Sequence, residues 1–271
     1  MEKMEFIKMH GLGNDFVVID NRTKNLKISK EIINKISDRK FGAGCDQVII
    51  IKPRTSTKED ASIEIFNPNG DKAEACGNGT RCVAKLLFNE TKKTEVNIKS
   101  DAGILYAKNK GENISVNLGK LTTEWKKIPL SKNVDTLNIP FNIKNFSKGV
   151  AVNIGNPHIV FFGKKLQGLD LNIIGPSIEN NELFPNKTNV EFVEIINKKK
   201  IKMKVWERGA GITLACGSGA CASVYAGVLK NFLDKNVQVQ LEKGSMYIEI
   251  LNDEAIMTGP AEISYHGNIK I

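Results

Sequence analysis

Along most of this chain apolar and polar residues alternate, or β-branched residues run together, in short stretches. Residues 16–20, 62–67, 94–100, 201–206, 236–242 and 246–251 show the pattern, each bounded by Gly or Asn turns, and each predicts a β-strand. Gly103 and Gly244 open two of the later strands. Helical spacing is rarer. Ser29 reads as the N-cap of a helix reaching Arg39, with Ile32, Ile33 and Ile36 on one face. The apolar runs 83–88 and 224–229 predict two more helices. The second is rich in small residues (Gly219, Ala220, Ala222, Ser223, Ala226, Gly227), which suits a helix enclosed tightly by sheet. Residues 120–148 carry little periodicity and are read as the connection between domains. The expected class is α+β.

The pattern is also duplicated. Ala75-Cys76-Gly77-Asn78-Gly79 and Ala215-Cys216-Gly217-Ser218-Gly219 lie 140 residues apart, each just before a predicted helix. At the same offset Ile65-Phe66-Asn67 matches Val205-Trp206-Glu207. At an offset of 142, Gly13 to Val18 matches Gly155 to Val160, and Asp46-Gln47-Val48 matches Thr188-Asn189-Val190. Four paired segments in one order signify two similarly folded halves rather than an array of short repeats. They predict domains over 1–119 and 120–263, and a pseudo-twofold relation would bring the two cysteines together.

Composition narrows the function. The formal charge is +9, yet only five of the 39 basic residues are arginine and the lysines are dispersed, which does not make the clustered basic face that nucleic acid requires. Lys198-Lys199-Lys200 reads as a solvated hairpin turn. No stretch approaches the roughly 18 apolar residues needed to span a bilayer, and the N-terminus lacks a secretory apolar region, so a cytoplasmic protein is expected. Five cysteines are an odd count, unlike a secreted disulfide framework. Cys45, Cys82 and Cys221 read as small buried hydrophobes.

Cys76 and Cys216 differ from these by context. A helix N-terminus presents unpaired N–H groups and positive potential, which binds an anion and favours thiolate. Two such termini converging make a site for a carboxylate flanked by two acid-base sulfurs. On an α-amino acid, a thiolate can remove the α-proton from one face while a thiol delivers a proton to the other. The N–H groups of Gly77, Asn78, Gly217 and Ser218 would stabilise charge growing on the carboxylate, so that the centre inverts without a cofactor.

Met9-His10-Gly11-Leu12-Gly13-Asn14-Asp15-Phe16, Asp46-Gln47, Ala73 through Cys82, Gly155-Asn156-Pro157-His158, Asn189, and Glu207-Arg208-Gly209-Ala210-Gly211 running into Ala215 through Gly219 together resemble the diaminopimelate epimerase family. The resemblance spans nearly the whole chain. It implies interconversion of LL- and meso-2,6-diaminopimelate with neither pyridoxal phosphate nor metal, by a homodimer acting on a small molecule. It further implies Cys76 and Cys216 as the acid-base pair, with His158 and Glu207 tuning their protonation. The carboxylate cradle would be Gly77, Asn78, Gly217 and Ser218, and Asn14, Gln47, Asn67, Asn156, Asn189, Glu207 and Arg208 would bind the remaining substrate. By the same resemblance each half is a curved mixed sheet around its cysteine-led helix, the active site lies in the cleft between halves, and the tail 264–271 packs on the N-terminal half.

Arg208 suits a forked contact with a carboxylate and Glu207 an ammonium, fitting a ligand with two amino-acid ends. A one-ended amino acid would leave several of these groups unpaired, at about 1 to 3 kcal/mol each. The chain departs from the family at Ile212, where an acidic residue is usual, and Cys45 and Ala75 are small substitutions beside functional positions. Three other readings are open to the same residues: an epimerase of proline or another amino acid, a thiol redox protein, and a non-catalytic amino-acid-binding protein. Glu207-Arg208 and the asparagine set weigh against the first, the absence of Cys-x-x-Cys and the glycine cradles against the second, and the paired thiols against the third. Zinc ligation is disfavoured by loose cysteine spacing and only three histidines.

Overall fold

The structure is a computed structural model that describes residues 3–73 and 76–270 of the 271-residue chain. Glu74 and Ala75, part of the first cysteine motif, lie outside the described residues, as do Met1, Glu2 and Ile271. In order the elements are β1 (Lys3–Gly11), β2 (Asn14–Asp20), α1 (Lys30–Ser37), β3 (Gln47–Lys52), β4 (Ala61–Phe66), β5 (Lys72–Ala73), α2 (Gly77–Thr91), β6 (Glu95–Ser100), β7 (Gly103–Lys110) and β8 (Asn113–Lys120). There follow β9 (Val150–Asn153), β10 (Pro157–Gly163), α3 (Leu171–Glu179), β11 (Asn189–Asn197), β12 (Lys200–Glu207), β13 (Gly211–Ile212) and α4 (Gly217–Leu229). The chain ends with β14 (Asn236–Leu241), β15 (Gly244–Leu251), β16 (Glu254–Pro260) and β17 (Glu262–Lys270). It divides into two compact units, Met1–Val116 with Gly259–Ile271, and Asn117–Thr258.

The duplication is visible in the strand ladders. In the first unit β2 pairs parallel with β3, β3 antiparallel with β4, β4 antiparallel with β5 and parallel with β6, and β6 antiparallel with β7. In the second, β10, β11, β12, β13, β14 and β15 repeat that series in the same senses. A parallel pair cannot be joined by a tight turn and needs a long crossover. Here every crossover carries a helix: α1 between β2 and β3, α2 between β4 and β6, α3 between β10 and β11, α4 between β12 and β14.

Central strands covered on both faces read as continuous apolar runs. Thus Val17, Ile19, Val48 and Ile50 face Ile33 and Ile36 of α1 in one cluster, together with Met4, Phe6 and Cys45. On the opposite face of the same strands Phe16 and Ile49 lie against α2 at Gly79. In the second unit Ile159, Phe161, Val190 and Phe192 pack with Leu171 and Ile178 of α3, and the Phe161 and Phe192 rings stack at 5.4 Å. Each unit is therefore a mixed sheet with one crossover helix on each face, as the α+β reading expects.

Two local differences have physical reasons. Helix α1 ends at Ser37, because the Asp38 carboxylate accepts the N–H groups of Lys40 (2.7 Å) and Phe41 (2.8 Å) and turns the chain before Arg39. The segment 120–148 contains no helix or strand beyond the end of β8, but it buries Ile128, Leu130 and Ile139 in the core of the second unit. Among the described residues no helix is long and apolar enough to cross a membrane.

Candidate functional site

Each cysteine of the repeated motif is the N-cap of its helix. Cys76 is extended (φ −148°, ψ 105°), so α2 starts at Gly77. Its carbonyl accepts from Thr80 N (2.8 Å) and its sulfur accepts the Gly79 N–H at 3.5 Å. Sulfur here takes the place of the Ser or Asp oxygen that usually satisfies an orphan helix N–H. The amides follow. Asn78 Nδ2 donates to Asn14 Oδ1 (3.1 Å), Asn14 Nδ2 to Asp46 Oδ2 (2.9 Å), and Gln47 Nε2 to Asn67 Oδ1 (3.0 Å). The first unit thus joins Asn14 to Asn78 beside Cys76, with Gln47 paired to Asn67.

Behind these amides stands an ion network. Asp15 binds Lys8 (2.6 Å) and Arg39 (2.8 Å), and Arg39 also binds Asp46 (2.6 Å). Burial pushes the Asp15 carboxyl up, but Arg39 and Lys8 outweigh it and hold the group down at about 2. The sequence reading missed this support. Asp15 and Asp46 lie inside the motifs; their cationic partners Lys8 and Arg39 lie outside them and carry no signal.

In the second unit Cys216 caps α4 (φ −120°, ψ 112°), accepting the Gly219 N–H at 3.4 Å and lying 3.5 Å from Ser218 Oγ. Asn156 Nδ2 donates to Ser218 Oγ (3.5 Å), and its Oδ1 faces His158 Nε2 at 2.9 Å. Thr213 Oγ1 donates to Glu207 Oε1, and the Glu207 carboxyl acts electrostatically on Cys216. Asn189 bridges the backbone, donating to Pro157 O (2.8 Å) and accepting from Arg208 N (2.9 Å). Cys216, Ser218, Asn156, His158 and Glu207 are thereby brought together, with Asn189 setting the start of the Arg208 turn.

Two carboxylates were overlooked. Glu191 is fully buried with Oε1 2.7 Å from His158 Nδ1. Glu179 at the end of α3 accepts from Trp206 Nε1 (2.7 Å) and Gly209 N (2.9 Å), which fixes the strand end carrying Glu207. Among the described residues no group of three or more acidic, His or Cys side chains could hold a metal ion.

One expectation is corrected. A helix N-terminus favours thiolate, yet burial first, then the charges of Glu207 and Glu191, push the Cys216 thiol well above its usual value, against the Ser218 hydroxyl and Gly219 N–H. Cys216 is only 3% exposed, so desolvation of the anion outweighs the helix end. Burial likewise pushes up Glu207, opposed by Thr213 and Cys216, and Glu191, opposed by His158. Ile212 is 52% exposed, and the acidic surroundings of Cys216 come from Glu207 and Glu191. Cys45, Cys82 and Cys221 are buried, and burial pushes the Cys82 thiol up to about 12.

The family model described as diaminopimelate epimerase matches residues 6–124 and 150–264. The diaminopimelate epimerase of Pelagibacter ubique is 45% identical over 97% of this chain and 98% of its own length. That of Carboxydothermus hydrogenoformans is 43% identical over the same shares. Among solved structures, a hydroxyproline epimerase from Agrobacterium vitis superposes with a TM-score of 0.74 at 12% identity, covering 99% of this chain and 91% of that one. A PhzF-family phenazine biosynthesis protein from Bacillus anthracis gives 0.67 at 18%, covering all of both chains. The two structures share the fold, and the full-length sequence matches place the chain in the diaminopimelate epimerase family.

Proposed function

We propose that this protein interconverts LL- and meso-2,6-diaminopimelate by proton transfer between Cα and the sulfurs of Cys76 and Cys216, in the supply of lysine and peptidoglycan precursors. The observation that carries the reading is the pair of sulfur-capped helices in a member of the family. Each sulfur sits beside helix N–H groups, those of Gly77 and Asn78 for Cys76 and of Gly217 and Ser218 for Cys216, which can donate to a carboxylate. One thiolate takes the α-proton, the C–H pair passes to an enediolate-like carbanion whose charge the N–H groups stabilise, and the other thiol protonates the opposite face. The reverse direction exchanges the roles.

Cys216 enters as the thiol at rest, because burial and the two nearby carboxylates disfavour its anion. His158 and Glu207 tune it. Asn14, Gln47, Asn67, Asn156, Asn189, Glu207 and Arg208 bind the substrate, with Arg208 on the distal carboxylate and Glu207 on an ammonium. Both proton transfers use protein groups, so the reaction needs no cofactor, and activity should survive exhaustive treatment with a chelator and with hydroxylamine. We also assign a cytoplasmic homodimer. Tyr106 (61% exposed) with Ile104 on β7, and Tyr265 (47%) with Ile263 on β17, offer apolar surface in the first unit for the second copy. Sedimentation equilibrium should give twice the chain mass.

The test is α-proton exchange in D2O, followed by NMR, on reduced protein with LL-diaminopimelate, L-proline and L-glutamate. Exchange is expected at diaminopimelate alone. Cys76→Ala and Cys216→Ala should each lower turnover by at least ~10²-fold, the scale of a lost general acid or base. Exchange confined to another amino acid would overturn the substrate; undiminished exchange in either variant would overturn the two-thiol chemistry.

A further inference from the structure

The two cysteine helices rest on equivalent strand pairs with opposite chemistry. In the first unit Phe16 and Ile49 lie under α2: a Cβ built on Gly79 would come within 2.6 Å of Ile49 Cδ1, 3.4 Å of Phe16 Cε1 and 3.6 Å of Cys76 Sγ. The register of β2 on β3 pairs Phe16 with Gln47, and that of β10 on β11 pairs His158 with Asn189. His158 and Glu191 are therefore the counterparts of Phe16 and Ile49. A Cβ on Gly219 would indeed come within 2.7 Å of Glu191 Oε1 and 3.3 Å of Cys216 Sγ.

All four side chains are fully buried. An apolar pair thus suffices to seat such a helix. Placing a carboxyl there costs desolvation that only its partners can offset. Glu191 has one partner, His158, and its Oε2 has no hydrogen-bond partner among the described residues. A polar pair kept at that cost is explained by what it leads to: Glu191 Oε1 to His158 Nδ1, His158 Nε2 to Asn156 Oδ1, Asn156 Nδ2 to Ser218 Oγ, and Ser218 Oγ to Cys216 Sγ.

We propose that Glu191 is a positioning residue of the epimerase: it anchors the His158 ring and, through Asn156 and Ser218, the groups around the Cys216 sulfur, making the two thiols chemically unequal. Both ring nitrogens of His158 face oxygens, so Nε2–H donates to Asn156 while the Nδ1 proton is shared with Glu191. This orients Asn156 with its amide toward Ser218. The inference rests on Cys216 being one of the acid-base pair. The ionisable groups around that sulfur are His158 from β10, Glu191 from β11 and Glu207 from β12.

The experiment compares the wild type with Glu191→Gln, which keeps shape and loses charge, and with His158→Phe/Glu191→Ile, which imports the first unit's pair. The pH midpoints of Cys76 and Cys216 are read from their 13Cβ resonances without substrate, and kcat and KM are measured separately. In Glu191→Gln the Cys216 midpoint should fall with Cys76 unmoved, because Glu191 is one of the groups that disfavour the Cys216 anion. Its kcat should fall by about tenfold with KM within about twofold, since the group lost acts on a catalytic thiol and not on substrate. The double variant should stay folded and lose more of kcat. An unmoved Cys216 midpoint, or a KM that rises in step with any loss of kcat, would overturn the proposal. So would a double variant with wild-type kcat. A shifted Cys216 midpoint in Glu191→Gln alongside a wild type that exchanges no diaminopimelate would instead support the positioning role and overturn the substrate reading.

Discussion

At the scale of single residues, the glycine three positions after each cysteine is governed by what lies beneath its helix. A Cβ on Gly219 would come within 2.7 Å of Glu191 Oε1, which is itself held by His158, so alanine there must break that hydrogen bond or lift the helix. Gly79 faces the terminal methyl of Ile49, which can turn aside. Alanine is otherwise favoured over glycine within a helix by about 1 kcal/mol. Gly219→Ala should therefore lose about 1 to 3 kcal/mol, the range for overpacking. Gly79→Ala should stay within about 1 kcal/mol of wild type, the helical preference offsetting the adjustment. Urea denaturation of both variants measures the difference, and equal stability would show that Glu191 is not held against the helix. The same residues mark how far the sequence could be read. The cysteine and glycine cradles were legible because the motif is repeated. The state of Cys216 was not, because it depends on burial and on Glu191, an acidic residue inside the apolar run Val190 to Val193, where periodicity signals only a strand.

At the scale of elements, Asp15 adds side-chain ties to strands already joined by ladders, β1 to β2 and β2 to β3, and links them to the end of α1, which no ladder holds. It lies on β2, Lys8 on β1, and Arg39 just after α1; through Arg39 it reaches Asp46 at the start of β3, and the backbone N–H of Asp46 donates to Asp15 Oδ1 at 2.9 Å. Its carboxyl falls from the ordinary 3.8 to about 2 in the folded protein. A depressed acid stabilises the fold above its unfolded value and loses that contribution as pH falls through the folded one, so the window runs from about pH 4 down to about pH 2. The shift corresponds to about 2 kcal/mol. Asp15→Asn should cost about that much at pH 7 and converge on the wild type below pH 2 in denaturant titrations; a constant difference across the window would remove the ion network from the account. None of this was legible from charge pattern, since the partners lie 7 and 24 residues away. Strands with strict alternation or β-branched runs were legible to within two residues. Helix α3 was not, because Pro176 inside it and its apolar sequence LNIIGPSIE give no start or stop signal beyond the Asp170 cap.

At the scale of the whole chain, the two halves are alike in ladder order, but the last strand returns to the beginning. β17 pairs antiparallel with β1 from Lys3↔Lys270 to His10↔Glu262, with an irregularity between Lys8 and Met9. Resemblance pointed to this return, but local pattern did not, because β17 is exposed along most of its length and its sequence EISYHGNIK has no buried face to announce it. What it covers is apolar. The Phe6 ring meets Tyr265 edge-on at 6.0 Å, and Gly267 lies so close that a Cβ there would come within 2.5 Å of Phe6 Cζ. Ending the chain after Pro260 would keep the Arg81 contact to the Pro260 carbonyl (3.2 Å), yet strip β1 of one full ladder and uncover Phe6. An unpaired apolar edge is a template for association with other chains. The shortened protein should show amide exchange at residues 4–10 faster by orders of magnitude, while β10 to β12 keep their protection, and it should self-associate with rising concentration. Unchanged protection of β1 would mean that β2 and the α1 cluster alone hold the first strand, leaving β17 no structural role in the N-terminal unit.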